Sequence, residues 1–146
     1  MDFRVAIIAA LVLAALSAGL VWKARTGRAK LVRSGELVDL GKLKAVKDGK
    51  PVTSFGTKAT LLQFSTEVCS ICVHTARYFG ELEAKSEGLS HIEVDLTDRL
   101  ELAAHFNVMQ TPTTLILDRN GKVQARIGGA PKLNVITQEL EKLEIK

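Results

Sequence analysis

The hydrophobic pattern begins with an unbroken run. Val5 to Trp22 is eighteen residues without a charge. At a helical rise of 1.5 Å per residue it reaches about 27 Å, close to a hydrocarbon core of about 30 Å. Beyond residue 50 the pattern becomes that of a folded domain. Thr60 to Phe64 is short, apolar and β-prone, which predicts a buried central strand. A helix follows to about Glu87, with Val73, Ala76, Phe79 and Leu82 on one side and Arg77, Glu81, Lys85 and Glu87 elsewhere. Gly88 is placed to cap its C-terminus. His91 to Asp95 alternates in polarity as a second strand, and Asp98 is placed to cap a helix running through Leu100, Leu102, Ala103, Ala104 and Phe106. Thr114 to Leu117, the turn Asp118-Arg119-Asn120-Gly121 and the alternating Lys122 to Ile127 predict a hairpin. Leu133, Ile136, Leu140 and Leu143 recur at the spacing of a final amphipathic helix. The order strand, helix, strand, helix, strand, strand, helix predicts an α/β domain, a mixed sheet with helices on both faces.

Residues 34–50 carry a weaker pattern. Leu40, Leu43 and Val46 would share a helix face, while Leu37-Val38 would suit the start of a strand. Pro51 to Gly56 reads as an extended piece ending in a turn. The chain thus divides into a transmembrane anchor with its flanks at 1–24, a basic juxtamembrane segment and linker or domain start at 25–50, and the α/β domain at 51–146.

Composition changes this picture little, because 47% hydrophobic and 25% charged residues is globular usage. The distribution of charge changes it more. Six of the 20 basic residues and only one of the 16 acidic ones fall within residues 1–33, so the rest of the chain is close to neutral. A nucleic-acid footprint would spread cations over a domain face, and no nucleic-acid partner is expected. Cations beside an apolar run suit a membrane instead: Arg4 and Lys23 can snorkel outward, and the Trp22 indole suits the interface. A cleaved signal peptide is the competing reading. The apolar run is longer than a usual signal core, and the small-residue site Ala15-Leu16-Ser17 would cut inside it, which favours an uncleaved single-pass anchor in the cell membrane. Lys23, Arg25, Arg28, Lys30 and Arg33 outweigh the N-terminal flank, so the positive-inside rule places the domain on the cytoplasmic side.

Candidate chemistry lies between the central strand and its helix. Cys69-Ser70-Ile71-Cys72 holds the only two cysteines of the 146 residues. On the first turn of a helix, the leading thiol meets the positive end of the macrodipole and unpaired N–H groups, which favour the reactive thiolate. Other uses of the pair remain. A structural disulfide would close a very small loop and add little stability. Zinc would need two further ligands from His74, His91 and His105. Haem attachment needs histidine directly after the second cysteine, where Val73 stands.

A Cys-x-x-Cys after the first central strand, a Thr-Pro about forty residues later before a hairpin, and a closing helix resemble the thioredoxin family. The resemblance rests on Leu62 to Cys72, Val94-Asp95, Val108 to Thr113 and Asn120-Gly121, and covers about residues 52–146, with a start near residue 36 left open. With the apolar N-terminus, the layout looks like small bacterial membrane-tethered thioredoxin-like proteins. The resemblance implies a thioredoxin-like fold behind one transmembrane helix and a thiol–disulfide oxidoreductase active in cell redox homeostasis. Its redox-active group would be the Cys69–Cys72 disulfide, with no other cofactor and no metal. Cys69 would attack and Cys72 would resolve. Pro112 would follow a cis bond after Thr111, whose backbone would pair with substrate. Ser70, Ile71 and Gly128 would line the substrate groove.

The departures also carry expectations. Val68 stands where the family has tryptophan, Ser70-Ile71 where it has Gly-Pro, Gln63 where it has a buried acid and His91 where it often has lysine. A glutamine cannot titrate, so His91, Glu67 or a water is expected to take the proton from Cys72, with slower exchange than in a typical member. With no basic residue between the cysteines, the setting points to reducing or mildly oxidising use. The expected partners are protein disulfides or dithiols and an unidentified electron donor or acceptor, met at a membrane entered through residues 5–22. The alternative is a redox-inert adaptor that keeps the fold as a protein-binding module at the membrane.

Overall fold

The computed structural model describes residues 2–32 and 35–145. Arg33 of the basic flank, Ser34 at the start of the weakly patterned stretch, and both terminal residues lie outside them. The apolar run forms helix α1 (Phe3–Arg25), none of whose residues is buried. It is long and apolar enough to cross a membrane, a test that an N-terminal signal sequence also passes.

Five strands form the main sheet: β1 (Ala29–Leu31), β4 (Ala59–Ser65), β5 (Leu89–Asp95), β6 (Thr113–Asp118) and β7 (Val123–Gly128), in the order β1-β7-β6-β4-β5. Only β4 and β5 run parallel. The other pairs are antiparallel, giving the expected mixed α/β sheet. All seven residues of β4 are buried, as a central strand covered on both faces requires. A two-stranded ribbon, β2 (Val46–Lys47) with β3 (Lys50–Pro51), flanks the β5 edge. Helices α3 (Ser70–Lys85) and α5 (Leu133–Glu141) cover one face, where Leu61, Phe79, Ile116, Ile127, Ile136 and Leu140 pack. The short helices α2 (Leu40–Leu43) and α4 (Leu100–His105) lie toward the other, over Leu62, Phe64, Ile92, Val94, Leu115 and Leu117.

Several local expectations give way to packing. The sheet takes in residues 29–31, inside the 25–50 stretch read as juxtamembrane segment and linker or domain start. Lys30 and Leu31 are exposed there, so β1 is an edge strand made by pairing with β7 and carries no burial pattern of its own. Val46 leaves the helix face proposed with Leu40 and Leu43, because Lys44 turns left-handed (φ 46°) and ends α2. Helix α3 stops at Lys85 with Ser86 as its cap, and Gly88 (φ 86°) instead forms the turn into β5. The buried face of α3 is Cys72, Thr75 and Phe79, leaving Val73 59% exposed. Turning Cys72 inward rotates the next residue by about 100°, out to solvent. Asp98 does not cap α4, whose N-cap position is Arg99. The helix has no side-chain cap, and Asp95 instead holds the turn before it, accepting from the Thr97 N–H at 2.9 Å and the Thr97 hydroxyl at 2.6 Å.

Candidate active site

The site begins where β4 ends. The chain turns through Thr66, Glu67 and Val68, held by a hydrogen bond from the Cys69 N–H to the Thr66 carbonyl at 3.1 Å. Cys69 is the N-cap residue of α3, and its sulfur accepts from the Cys72 N–H at 3.2 Å. Cys69 and Cys72 form a disulfide with Cα atoms 5.2 Å apart. The N-terminus of a sixteen-residue helix thus points at Cys69, and its partial positive charge favours the thiolate once the bond is reduced.

The loop before β6 comes up beside this turn. The Thr111–Pro112 peptide bond is cis, and the Thr111 and Thr66 hydroxyl oxygens lie 3.3 Å apart. The Gly129 N–H donates to the Pro112 carbonyl at 2.8 Å, tying the loop to the end of β7. At Gly128, a side chain would first meet the Gln110 amide, so the space beside this glycine is taken up by Gln110. Val68 (95% exposed), Ile71 and Met109 (85% exposed) surround the opening as an apolar rim.

Beneath Cys72 the surroundings are polar and buried. Gln63 is fully buried, and its amide Nε2 donates to the Cys72 carbonyl at 3.0 Å. Its Oε1 therefore faces the His91 Nε2, 3.2 Å away. Two acceptors would not bond, so the His91 Nε2 carries hydrogen and donates it to Gln63. Burial is the main cause that lowers the His91 pKa, to about 4, and the Lys47 ammonium adds to it against the opposing Glu83 carboxylate. Lys47 donates to Glu83 and to the His91 carbonyl, and Glu83 accepts from the His91 N–H at 3.1 Å. The imidazole is thus neutral at ordinary pH, and its Nε2 is already occupied by its own proton.

The sequence-predicted residues are therefore distributed unevenly. The structure gathers Cys69, Cys72, Thr111, Pro112, Gln63 and His91, with Ser70 and Ile71 on the first turn of α3. It leaves Glu67 exposed in the loop, bonded through its own N–H to Thr97. An open groove of about 590 Å³ joins Glu67 to Cys72 and also takes in Ser65 and Glu93, whose carboxylate accepts from the Ser65 hydroxyl at 2.7 Å. Sequence reasoning does not single out Glu93, Ser65 or the buried Thr114. The available signal for Glu93 is its two-residue offset from His91 on one strand, which puts both on one face. Among the described residues, no three His, Cys, Asp or Glu side chains gather in a metal-holding arrangement.

The thioredoxin family model matches residues 45–142. Thioredoxin H5 of Oryza sativa subsp. japonica is 31% identical over 72 residues, 49% of this chain and 53% of that protein. The chain thus spans about half the length of that curated relative. Among solved structures, the short form of spinach chloroplast thioredoxin f superposes with a TM-score of 0.53 at 22% identity, covering 61% of this chain and 79% of that one. A structure described as a complex of ferredoxin:thioredoxin reductase and thioredoxin f2 matches with a TM-score of 0.52 at 26% identity, over 61% and 80%.

Proposed function

The chain belongs to the thioredoxin family, and from that premise we propose that it is a membrane-tethered thiol–disulfide oxidoreductase. The carrying observation is the Cys69–Cys72 disulfide at the start of α3, on a turn that the Thr111–Pro112 loop meets through the Thr66–Thr111 hydroxyl contact. In the reducing direction, the Cys69 thiolate attacks one sulfur of a partner disulfide, and the other partner sulfur leaves as a thiolate. The Cys72 sulfur then attacks Cys69, releasing the second partner thiolate and closing the Cys69–Cys72 disulfide. Two electrons pass to the partner, and the proton given up by Cys72 leaves through the groove it shares with Ser65, Glu67 and Glu93. Gln63 and neutral His91 hold the helix start in place and take no proton. An external dithiol reopens the disulfide for the next turnover.

The half-buried Thr111 and the exposed apolar rim of Val68, Ile71 and Met109 suit an extended protein segment better than a small polar thiol. Residues 5–22 anchor the chain in the membrane, and the flank rich in Lys and Arg keeps the domain on the cytoplasmic side. The test is Cys72→Ser in intact membranes, which blocks the second step and holds partners as mixed disulfides on Cys69. Partners captured through Cys69 support the reading, and partners from one compartment fix the side of the membrane. An empty trap, under conditions in which an established oxidoreductase captures its substrates, overturns it.

A further inference from the structure

Strand directions place two features of the molecule at the same end of the sheet. Helix α1 ends at Arg25 and β1 begins at Ala29, with only three residues between them. Ala29 lies opposite Ile127, next to the end of β7. The last residue of β7, Gly128, lies opposite Thr113, the first of β6, and Thr113 lies opposite Phe64 near the end of β4. The start of β1, the end of β7, the start of β6 and the end of β4 therefore form one rim. Cys69 and the Thr111–Pro112 bond rise from that rim, and the Asp118–Lys122 hairpin lies at the other.

The join between α1 and this rim has no slack. The Gly27 N–H donates to the Gly128 carbonyl at 2.9 Å, and the Lys132 N–H donates to the Gly27 carbonyl at 3.4 Å. Gly27 adopts φ 74°, and a side chain there would run into the Ala130 backbone. No residue of α1 is buried, so the helix leaves the domain and does not lie along it. Three strand spacings separate β1 from β4, about 14 Å sideways. The far hairpin is roughly 20 Å further along the strands.

The surface of the near rim fits what this geometry would press it against. A cavity of about 810 Å³ between the end of α1 and the cis-proline loop is lined by Arg25, Arg28, Lys30 and Arg126, with Trp22 and Met109 beside them. Trp22 is 70% exposed, and Val68, Ile71 and Met109 stand out on the same rim. Cations with exposed apolar and indole side chains match an anionic headgroup layer.

We infer that the catalytic end of the sheet is held against the membrane surface, so that its redox partner is a membrane protein whose reacting cysteine pair lies at the headgroup layer. This rests on the anchored oxidoreductase reading above, and it is tested in two arms on the full chain in vesicles of phosphatidylcholine and phosphatidylglycerol. In the first, Cys69→Ser/Cys72→Ser protein carries a fluorophore at Val68→Cys or at Asn120→Cys, with a nitroxide on a fraction of the lipid headgroups. Strong quenching at 68 and weak quenching at 120 is expected. Equal quenching, or stronger quenching at 120, overturns the orientation. In the second arm the reduced wild-type chain meets a pyridyl disulfide linked to a lipid headgroup, or the same group on a soluble peptide. An insert of about ten Gly/Ser residues between Arg25 and Thr26 frees the domain from the surface. The insert is expected to slow reaction with the headgroup disulfide several-fold and leave the soluble reaction unchanged. An unchanged headgroup rate overturns the partner assignment. Failure of wild type on the soluble disulfide would instead sink the oxidoreductase reading, while the quenching still decides the orientation.

Discussion

Cys69 and Cys72 share one disulfide and one helix start, yet the protein gives the two sulfurs opposite surroundings. Cys69 is half-buried, faces the cis-proline loop and sits within a rim of exposed apolar side chains. Cys72 is 1% exposed, and a buried glutamine and a neutral histidine back its turn of the helix. The difference comes from position along the helix. Cys69 is the N-cap, with extended backbone at the open end, whereas Cys72 lies inside the first turn on the buried face shared with Thr75 and Phe79. In the proposed reaction like residues thereby take unlike work: the outer sulfur would meet partners, and the inner one would close the reaction from beneath.

The sharpest test of that asymmetry is chemical. In reduced protein, iodoacetamide should modify Cys69 fully while Cys72 stays unmodified, read by mass spectrometry of the peptide that carries both. Equal modification would erase the comparison. Acid probes the inner side. The His91 pKa is about 4 in the folded protein against 6.5 for the free group. Above pH 6.5 neither state binds the proton and His91 does not affect stability. Between 6.5 and 4 the unfolded chain binds a proton that the folded chain refuses, so stability falls as pH falls. Below 4 both states bind it, and the loss levels off at about 3 kcal/mol. Urea unfolding across this range should show that loss in wild type. It should be absent in His91→Leu, which starts from a lower stability at neutral pH because Gln63 loses a partner.

Gln63 itself comes next in size. Gln63→Leu removes the acceptor of the His91 Nε2–H and leaves that donor buried against hydrocarbon. The cost should be about 2 kcal/mol by urea unfolding at pH 7, with Cys69 alkylation still favoured over Cys72. If the variant lost that selectivity as well, the amide would be what holds Cys72 inward, and its place on the helix alone would not suffice.

The two cysteines and the proline loop are legible in the amino-acid sequence, and the polar floor beneath Cys72 is not. Cys69, Cys72, Thr111 and Pro112 announce themselves because their chemistry depends on local spacing and on residue types with special properties. The strands beneath them are legible for the same reason: β4, β5 and the hairpin follow short apolar runs and strong turn residues. Gln63 and His91 are visible only as departures from a family pattern, since their meeting depends on the parallel register of β4 and β5, at a sequence separation of 28. Val73 misleads for a related reason. It fits an apolar stripe, but the helix takes its rotation from Cys72. Strand β1 leaves no trace, because Ala29–Leu31 is an edge formed entirely by its partner β7.

The smallest expected effect falls on Thr114, which lies opposite Gln63 in the sheet. The residue is fully buried, and its hydroxyl has no hydrogen-bond partner among the described residues. A hydroxyl left dry in this way costs about 1 kcal/mol or more. Valine has nearly the same shape and suits a strand. Thr114→Val should therefore raise stability by about 1 kcal/mol, measured by urea unfolding in both redox states. A gain present only in the oxidised form would mean that the hydroxyl finds a partner once Cys72 carries a free thiol, making Thr114 part of the inner side of the site. An equal gain in both forms would make the hydroxyl a plain burial cost, and would leave Gln63 and His91 as the whole of the polar floor beneath Cys72.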